Sequence, residues 1–356
     1  LYRLPRAHRA SDMVRQAVRY VRGRYPFFNR SDGADHIFSF PHDEGACLAP
    51  LDIRQSILVS HWGRTQRHPP NHTTISAGQG WHEDHPKDER GEPHWKRMYG
   101  SEQCFLPGKD VLLPIYKSRT FVQSSPFLTG VRQPRKILFS FLGNALRQPP
   151  RFSMGLRQQV WADHGARADS CIPARCQQHN AGCDVEAILR KAPDGCVLVG
   201  GHTRNFINVL QRSVFCAVVP GNGWAHIEEP VIQGCIPVVI MPGIHVQLEG
   251  VLDLTRFSVR IGRDEIPRLV DILRAIPADR VAQMQAELAK VWERFTYSGL
   301  FKRELALQSA GRASPQLRTR VGDVRMSDTP SFAPLEPRLR GTDAVDALIQ
   351  LLRLRL

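Results

Sequence analysis

The sequence predicts an α/β protein with two Rossmann-like domains that face each other across a cleft. Three stretches lead to this prediction. Residues 213–240 have the pattern of strand, glycine-rich turn, short helix and strand, which together make a βαβ unit. Residues 135–143 are an earlier apolar run that ends at a glycine, and residues 37–40 are another in the first third of the chain. Each run suits one strand of a parallel sheet that is covered on both faces.

The βαβ unit of residues 213–240 has the features of a ligand-binding edge. Its turn contains Gly221 and Gly223, which let the backbone approach a ligand closely. Ligands of such sheets bind beyond the carboxyl ends of the strands, and the N-terminus of a helix predicted over 225–233 favours an anion. Glu229 lies about one turn inside that helix, where its carboxylate could accept hydrogen bonds from sugar hydroxyls. The same pattern also fits a buried βα unit with no ligand, and periodicity alone leaves both interpretations open.

The composition allows a folded chain with an anionic partner. With 356 residues the chain is long enough for two domains, and 42% hydrophobic residues allow a sizeable core. The net charge of +14 suits nucleotide diphosphates, acidic glycans or nucleic acid, and does not choose among them. Because the sequence contains no helix-turn-helix, zinc-finger or RNP-like pattern, we expect no nucleic-acid partner.

The chain divides into four predicted regions. We place an N-terminal α/β domain at 1–125, a linker at 126–134, a second α/β domain at 135–305 and a disordered basic tail at 306–356. Further predicted elements are a helix at 13–21, a strand or short helix at 53–60, a strand at 196–200, helices at 205–211, 266–276 and 281–295, and a helix inside the tail at 343–354.

Two stretches are rich in residues that bind metals in other proteins. Residues 61–99 form a long loop with six histidines, and residues 171–183 carry three cysteines beside His179. Neither spacing matches a zinc motif, so we expect solvated histidines in the first and disulfides or free thiols in the second. The chain has eight cysteines in all, and Cys216 and Cys235 fall in predicted strands, where buried thiols are ordinary.

Several motifs resemble the exostosin family of glycosyltransferases. SVFCAVVPGNGW…EEPVIQGCIPVVI is similar to that family's S-x-F-C, P-x-G and E-A-x-x-x-G-C-x-P-V pattern, and FSVRIGRDEIPRLVDIL resembles the segment that follows it. Nearer the start, YPFFNRSDGADHIFSFPHDEG is similar to P-[YF]-[WF]-N-R, G-x-D-H-x-F and H-D, and KDVLLPIY is similar to K-D-V-x-x-P. The resemblance covers roughly residues 25–273, with a poor match across the histidine-rich loop.

The resemblance implies a GT-B fold and a transfer, with inversion, of a sugar from a nucleotide donor to a glycan or glycoprotein acceptor. We expect the donor to be a UDP-sugar. GT-B enzymes generally manage the diphosphate without a bound metal, and the sequence has no D-x-D motif, so we expect neither metal nor cofactor. The incoming hydroxyl needs a base. Asp43 is the first candidate and His42 the second, while Glu44, or a purely turn-capping role for Asp43, stays open.

On the donor side, the resemblance makes Glu229 the acceptor of hydrogen bonds from the ribose or the sugar. Arginine forks suit a diphosphate, although surface arginines of no special role are equally common. The remaining donor-site candidates are Gly143, Gly221, Gly223, His226, Arg135 and Arg157. The family often has arginine at the place of His226 and Ala or Asp at the place of Pro230. These departures leave open a catalytically weak glycan-binding or assembly subunit with the same fold.

The resemblance also implies a place at the lumenal face of the Golgi membrane, reached through an N-terminal anchor. No apolar run in the sequence approaches the roughly 20 residues of a membrane span, and no signal peptide is visible. Because the chain opens at Leu1 and not at Met, we expect a fragment whose anchor is missing. The sequons at Asn29 and Asn71 lean toward a secretory location.

Overall fold

Two parallel sheets form the framework of the protein, which confirms the predicted α/β architecture. The structure is a computed structural model, and it describes residues 5–41, 45–65, 105–145, 153–165, 171–174, 195–200, 205–221, 226–300 and 342–355. Most of the predicted histidine-rich loop and of the predicted tail lies outside these residues.

The first lobe is built on a three-stranded parallel sheet in the order β1-β2-β4. Its core is small and local, because Val18, Phe28 and Leu58 pack together with almost no exposure to solvent. The elements of this lobe are α1 (Pro5–Arg24), α2 (Phe27–Arg30), β1 (Ile37–Phe40), the 3-10 turns Gly45–Leu48 and Leu51–Ile53, β2 (Ile57–Ser60), β3 (Gly63–Arg64) and β4 (Val111–Leu112).

The second lobe is built on a six-stranded parallel sheet with helices packed against it. Its main core joins strand residues such as Phe139, Phe215 and Val238 to the helices that cover them. The elements are α3 (Arg119–Gln123), α4 (Pro126–Thr129), β5 (Ile137–Gly143), α5 (Leu156–Gly165), β6 (Cys171–Ala174), β7 (Cys196–Gly200), α6 (Phe206–Arg212), β8 (Ser213–Val218), α7 (Glu228–Ile232), β9 (Ile236–Val239), β10 (Ile244–His245), β11 (Val259–Arg260), α8 (Leu269–Arg274), α9 (Ala278–Val291) and α10 (Ala344–Arg353).

The strand order of the large sheet creates a crevice between β5 and β8. The order is β11-β9-β8-β5-β7-β6. After β5 the chain continues to β6 and β7 on one side, whereas after β8 it continues to β9 and β11 on the other. The connections that leave the carboxyl ends of β5 and β8 therefore diverge, which is the topological switch point where ligands of such sheets bind.

The two lobes are joined at the carboxyl ends of their strands. β3 follows β2, β10 follows β9, and the two pair as antiparallel strands. Gly63 allows this pairing, since a Cβ at this position would lie 2.1 Å from the carbonyl oxygen of His245. Nε2 of Gln247 donates a hydrogen bond of 2.8 Å to the carbonyl of His61. The carboxyl edges of the two sheets consequently meet, as expected for two lobes on either side of a cleft.

The predicted domain boundaries need correction at both ends of the second lobe. The predicted linker, 126–134, contains α4, in which Leu128 is fully buried, and Oγ of Ser125 donates to the carbonyl of Ile232 at 2.6 Å. The predicted tail ends in α10, whose Leu351 packs into the main core. The linker was predicted to be loose because of its prolines and glycine, but α4 carries enough apolar side chains to dock. Within the tail a helix was predicted at 343–354, and α10 lies there, packed against the core.

A disulfide between Cys216 and Cys235 corrects the expectation of two buried thiols. Cys216 lies on β8 and Cys235 directly precedes β9, and their Cα atoms are 5.9 Å apart. Because β8 and β9 are neighbouring parallel strands with Cys216 opposite Pro237, the pairing register brings the two sulfurs together. Cys196, at the start of β7, is also disulfide-bonded.

Candidate functional site

The crevice at the switch point holds a half-buried arginine beside two glycines. Nε of Arg157, on α5, donates to the carbonyl of Pro220 at 2.9 Å. A Cβ at Gly221 would lie 2.5 Å from Nη2 of this arginine, and a Cβ at Gly143 would lie 3.6 Å from Nη1. Gly221, which follows β8, therefore leaves the space that the guanidinium fills, whereas a Cβ at Gly143, at the end of β5, would only make ordinary van der Waals contact with it. Burial lowers the pKa of Arg157 to about 10, against the opposing charge of Glu229, so the group stays cationic near neutral pH.

Glu229 lies in the first turn of α7, next to this crevice. The helix begins at Glu228, later than the predicted 225–233, because His226 has a φ of +54° that a helix does not accommodate. Glu228 and Glu229 thus occupy the helix start themselves. The partial positive charge at the N-terminus of α7 is therefore already next to the carboxylates of Glu228 and Glu229. This corrects the expectation that the helix N-terminus is free to bind an anionic group of the donor.

Lys117 and His226 hold the Glu229 carboxylate. Nζ of Lys117 lies 2.6 Å from Oε1 of Glu229, and Nδ1 of His226 lies 3.3 Å from the same oxygen. Burial by itself would raise the pKa of Glu229, but His226 and Lys117 outweigh it and hold the pKa well below its usual range. The carboxylate is therefore ionised and fixed in place across the physiological pH range.

Glu228 gives the cluster a second, fully buried carboxylate. Nζ of Lys117 lies 3.1 Å from Oε1 of Glu228, although neither oxygen of Glu228 has a well-aligned hydrogen bond. Burial would lower the pKa of Lys117, yet the two glutamates together raise it, so the lysine remains an ammonium. Burial, followed by the charge of Glu228, also raises the pKa of Tyr297.

His226, Glu228 and Glu229 also have the composition of a metal site. Their potential ligand atoms lie within 4.8 Å of one another. However, the ammonium of Lys117 already compensates both carboxylates at 2.6 and 3.1 Å. A divalent ion at this place would have to displace Lys117, so the residues present fit a lysine better than a metal.

The structure brings together five of the donor-site residues that the sequence predicts. These are Gly143, Arg157, Gly221, His226 and Glu229, which gather at or beside the switch point. Gly223 and the candidate bases His42 and Asp43, with Glu44, lie outside the described residues, so their roles stay predictions. Phe40, the last residue of β1, lies beside Ser60 at the edge where the lobes meet.

Arg135 does not lie at the donor site where the sequence analysis placed it. It precedes β5 and therefore lies at the amino end of the strand, opposite the crevice. Its guanidinium donates to the carbonyls of Leu210, Ser213 and Gln233 at 3.0, 2.5 and 2.9 Å, and burial lowers its pKa to about 10. Arg135 thus ties α6, β8 and the end of α7 together, and is not placed to bind a diphosphate.

Lys117 is the site residue that the sequence analysis missed. It belongs to the stretch between β4 and α3, directly after the KDVLLPIY segment, and reaches Glu229 across 112 positions of the chain. The signal that could have found it is the adjacent pair Glu228 and Glu229. Two neighbouring carboxylates at the start of a buried helix need a cation, and a lysine in the segment that enters the second lobe supplies it.

None of the helices that the structure describes combines the length and the apolar character required to cross a lipid bilayer.

Comparison with known proteins identifies the family. A model of the exostosin GT47 domain matches residues 2–276. A probable glucuronosyltransferase of Oryza sativa subsp. japonica is 26% identical over 306 residues, which cover 80% of this chain and 57% of the relative. The Arabidopsis thaliana proteins named probable glucuronoxylan glucuronosyltransferase IRX7 and probable beta-1,4-xylosyltransferase IRX10L are 22% and 24% identical, again over 80% of this chain and over 54% and 58% of their own length.

Among solved structures, the chain is similar to TarM with a TM-score of 0.36 and 11% identity, covering 82% of this chain and 57% of that one. It is similar to the glycosyltransferase AviGT4 with a TM-score of 0.31 and 12% identity, covering 80% and 77%. The chain spans a little over half the length of the curated relatives described above, 54–58%. Since the family model matches well over half of the sequence, this chain belongs to the exostosin GT47 family.

Proposed function

We propose that this chain is a glycosyltransferase domain that transfers a sugar from a UDP-sugar to a glycan or glycoprotein acceptor. The observation that carries the proposal is the meeting of Arg157 and an ionised Glu229 at the switch point of the second lobe. A nucleotide-sugar needs hydroxyl acceptors for its ribose and sugar, and cations or amide groups for its diphosphate. Glu229 supplies the first, and Arg157, whose guanidinium lies beside the backbone of Gly221, supplies the second.

The proposed reaction is a single displacement with inversion. The acceptor hydroxyl oxygen bonds to the anomeric carbon while the bond from that carbon to the β-phosphate oxygen breaks, and UDP leaves with the bonding electrons. Asp43, with His42 as the alternative, takes the proton of the attacking hydroxyl. Arg157 stabilises the negative charge that develops on the leaving diphosphate, so the proposal requires no metal ion.

The names of the relatives direct the choice of donor. Those cited above are called glucuronosyltransferases or a xylosyltransferase. UDP-glucuronate and UDP-xylose are therefore the first donors to test, within a wider panel of UDP-sugars.

The test is calorimetric titration with UDP, followed by the donor panel. Wild type is expected to bind UDP and to bind at least one UDP-sugar more tightly. Glu229→Ala is expected to weaken UDP-sugar binding roughly 10- to 150-fold, because a hydrogen bond to a charged group contributes about 1.5–3 kcal/mol. Glu287→Ala is the matched control. Glu287 lies on α9 and is likewise an ion-paired glutamate, with Arg256 and Lys290 as its partners. Absence of UDP binding in wild type, or equal affinity in Glu229→Ala, would refute the donor site.

A catalytically weak glycan-binding or assembly subunit is the second candidate. It is favoured by Lys117 and His226, which already contact Oε1 of Glu229. The two candidates differ in hydrolysis, because a competent donor site usually transfers some sugar to water. Release of free sugar from a UDP-sugar supports the transferase, whereas glycan binding without hydrolysis supports the subunit.

We further propose a lumenal location in the Golgi. The disulfide between Cys216 and Cys235 supports it, because buried structural disulfides persist in oxidising compartments and are rare in the cytosol. Protease protection of the tagged protein in intact Golgi vesicles, and digestion once detergent is added, is the expected result. Digestion without detergent would contradict a lumenal location.

A further inference from the structure

Lys117 links the two lobes at the donor site. It lies in the stretch between β4 of the first lobe and α3, and its side chain is only 14% exposed. The stretch is anchored on both sides of the lysine. Oη of Tyr297 donates to the carbonyl of Pro114 at 2.7 Å, and Oγ of Ser118 accepts from the backbone N–H of Phe121 at the start of α3. The ammonium is therefore delivered to Glu229 by a fixed backbone.

The contacts of Glu229 are one-sided. Lys117 and His226 both contact Oε1. Oε2 makes no hydrogen bond or ion pair within the residues that the structure describes, and the side chain is 19% exposed. One oxygen is thus held by Lys117 and His226, while the other is left for a ligand hydroxyl.

We propose that Lys117 is a positioning residue for the donor, whose ammonium fixes Oε1 of Glu229 so that Oε2 faces the hydroxyls of the nucleotide-sugar. This inference rests on the proposed function and adds to it. It assigns a role in donor binding to Lys117, which lies outside the six-stranded sheet of the second lobe. It also means that the first-lobe segment and the donor site form one unit before any donor binds.

The main rival role for Lys117 is purely structural. Glu228 is fully buried and has Lys117 as its close cation, so Lys117→Met alone would leave an uncompensated buried charge. A loss of activity in that variant would therefore not separate the two roles. The double variant Lys117→Met with Glu228→Gln removes one positive and one negative charge and restores the balance. Glu228→Gln alone is the reference with which the double variant is compared.

The readout is the KM for the UDP-sugar, measured against kcat and across pH. In the double variant we expect thermal unfolding close to that of the Glu228→Gln reference, a donor KM raised roughly tenfold and a smaller change in kcat. We also expect a new acid limb in the pH profile of the donor KM. Without Lys117, the burial that raises the pKa of Glu229 is opposed by His226 and by the charge of Arg157, so the carboxylate protonates at higher pH than in wild type and donor affinity falls as the pH drops.

Two outcomes overturn the proposal. If the double variant keeps the reference donor KM and pH profile, Lys117 serves only as the countercharge of Glu228. If the double variant fails to fold, Lys117→Arg replaces it. This variant keeps the cation and is expected to keep a profile without an acid limb, so an acid limb in Lys117→Arg refutes the inference. Failure of wild type to bind any UDP-sugar is a distinct result, because it refutes the proposed function instead.

Discussion

Gly221 offers a direct test of how the donor crevice is built. A Cβ added at this position would lie 2.5 Å from Nη2 of Arg157 and 3.4 Å from its Cζ. Real Cβ atoms essentially never approach closer than 3.0 Å, so the guanidinium must move by about 0.5 Å or more. That movement strains the hydrogen bond from Nε of Arg157 to the carbonyl of Pro220. Because the clashing atom is the far end of a flexible side chain, we expect a cost at the low end of the range for overpacking, about 1 kcal/mol.

We therefore expect Gly221→Ala to lower the free energy of unfolding by about 1 kcal/mol and to weaken UDP binding by up to roughly tenfold. The measurements are urea denaturation and calorimetric titration with UDP. The decisive comparison is a double-mutant cycle with Arg157→Met. Once the guanidinium is gone the clash is gone, so Gly221→Ala should cost little stability in that background, and the two substitutions should be coupled by about 1 kcal/mol.

The control for the cycle is Gly23→Ala. Gly23 lies near the end of α1 and an added Cβ there meets nothing within 4 Å, so this change should stabilise the helix by up to about 1 kcal/mol. If the effects of Gly221→Ala and Arg157→Met on stability are strictly additive, the guanidinium does not fill the space beside Gly221. If UDP affinity is unchanged in Gly221→Ala, the guanidinium does not reach the donor.

Three further predictions concern the frame around the site. Replacing Cys216 and Cys235 together by alanine should lower the free energy of unfolding by about 3 kcal/mol, as expected for a crosslink that spans 19 positions. A wild-type protein that is equally stable with and without reductant would contradict this prediction. Arg135→Met should destabilise the fold in urea, because three carbonyls lose their donor, while leaving the Kd for UDP unchanged; a weakened Kd in the folded variant would restore its donor role. The pKa of Glu229 is lowered from its ordinary 4.5, so its ionised carboxylate should stabilise the fold above about pH 4.5, and this stabilisation should be lost as the pH falls further. Between about pH 7 and pH 3, the free energy of unfolding should therefore decrease less in Glu229→Gln than in wild type.

Much of the second lobe could be predicted from local sequence. The apolar runs of β5, β8 and β9 are continuous because both faces of a parallel sheet are buried, and Gly143 and Gly221 mark where two of these runs end. Glu229 was found by its place in the βαβ unit. The direction of a strand, properly applied, would also have excluded Arg135, since a residue that precedes a strand lies at the amino edge of the sheet.

The remaining features depend on contacts between distant segments. The Lys117–Glu229 ion pair joins residues 112 positions apart, so the adjacent glutamates indicate that a cation is needed but not which residue supplies it. The disulfide depends on the register of β8 with β9, which places two cysteines of separate predicted strands side by side. The packing of α10 depends on an apolar surface that exists only after both lobes have formed.

The strand pairing between β3 and β10 has a consequence for how substrates enter. Many two-domain enzymes admit their ligands by swinging apart about a flexible hinge. Here such a swing would have to break backbone hydrogen bonds between Gly63 and His245 and separate a shared apolar interior that includes Val59 and Val246. We therefore expect the distance between the two sheets to stay nearly constant through the catalytic cycle, and admission of donor and acceptor to be controlled by local loop motion.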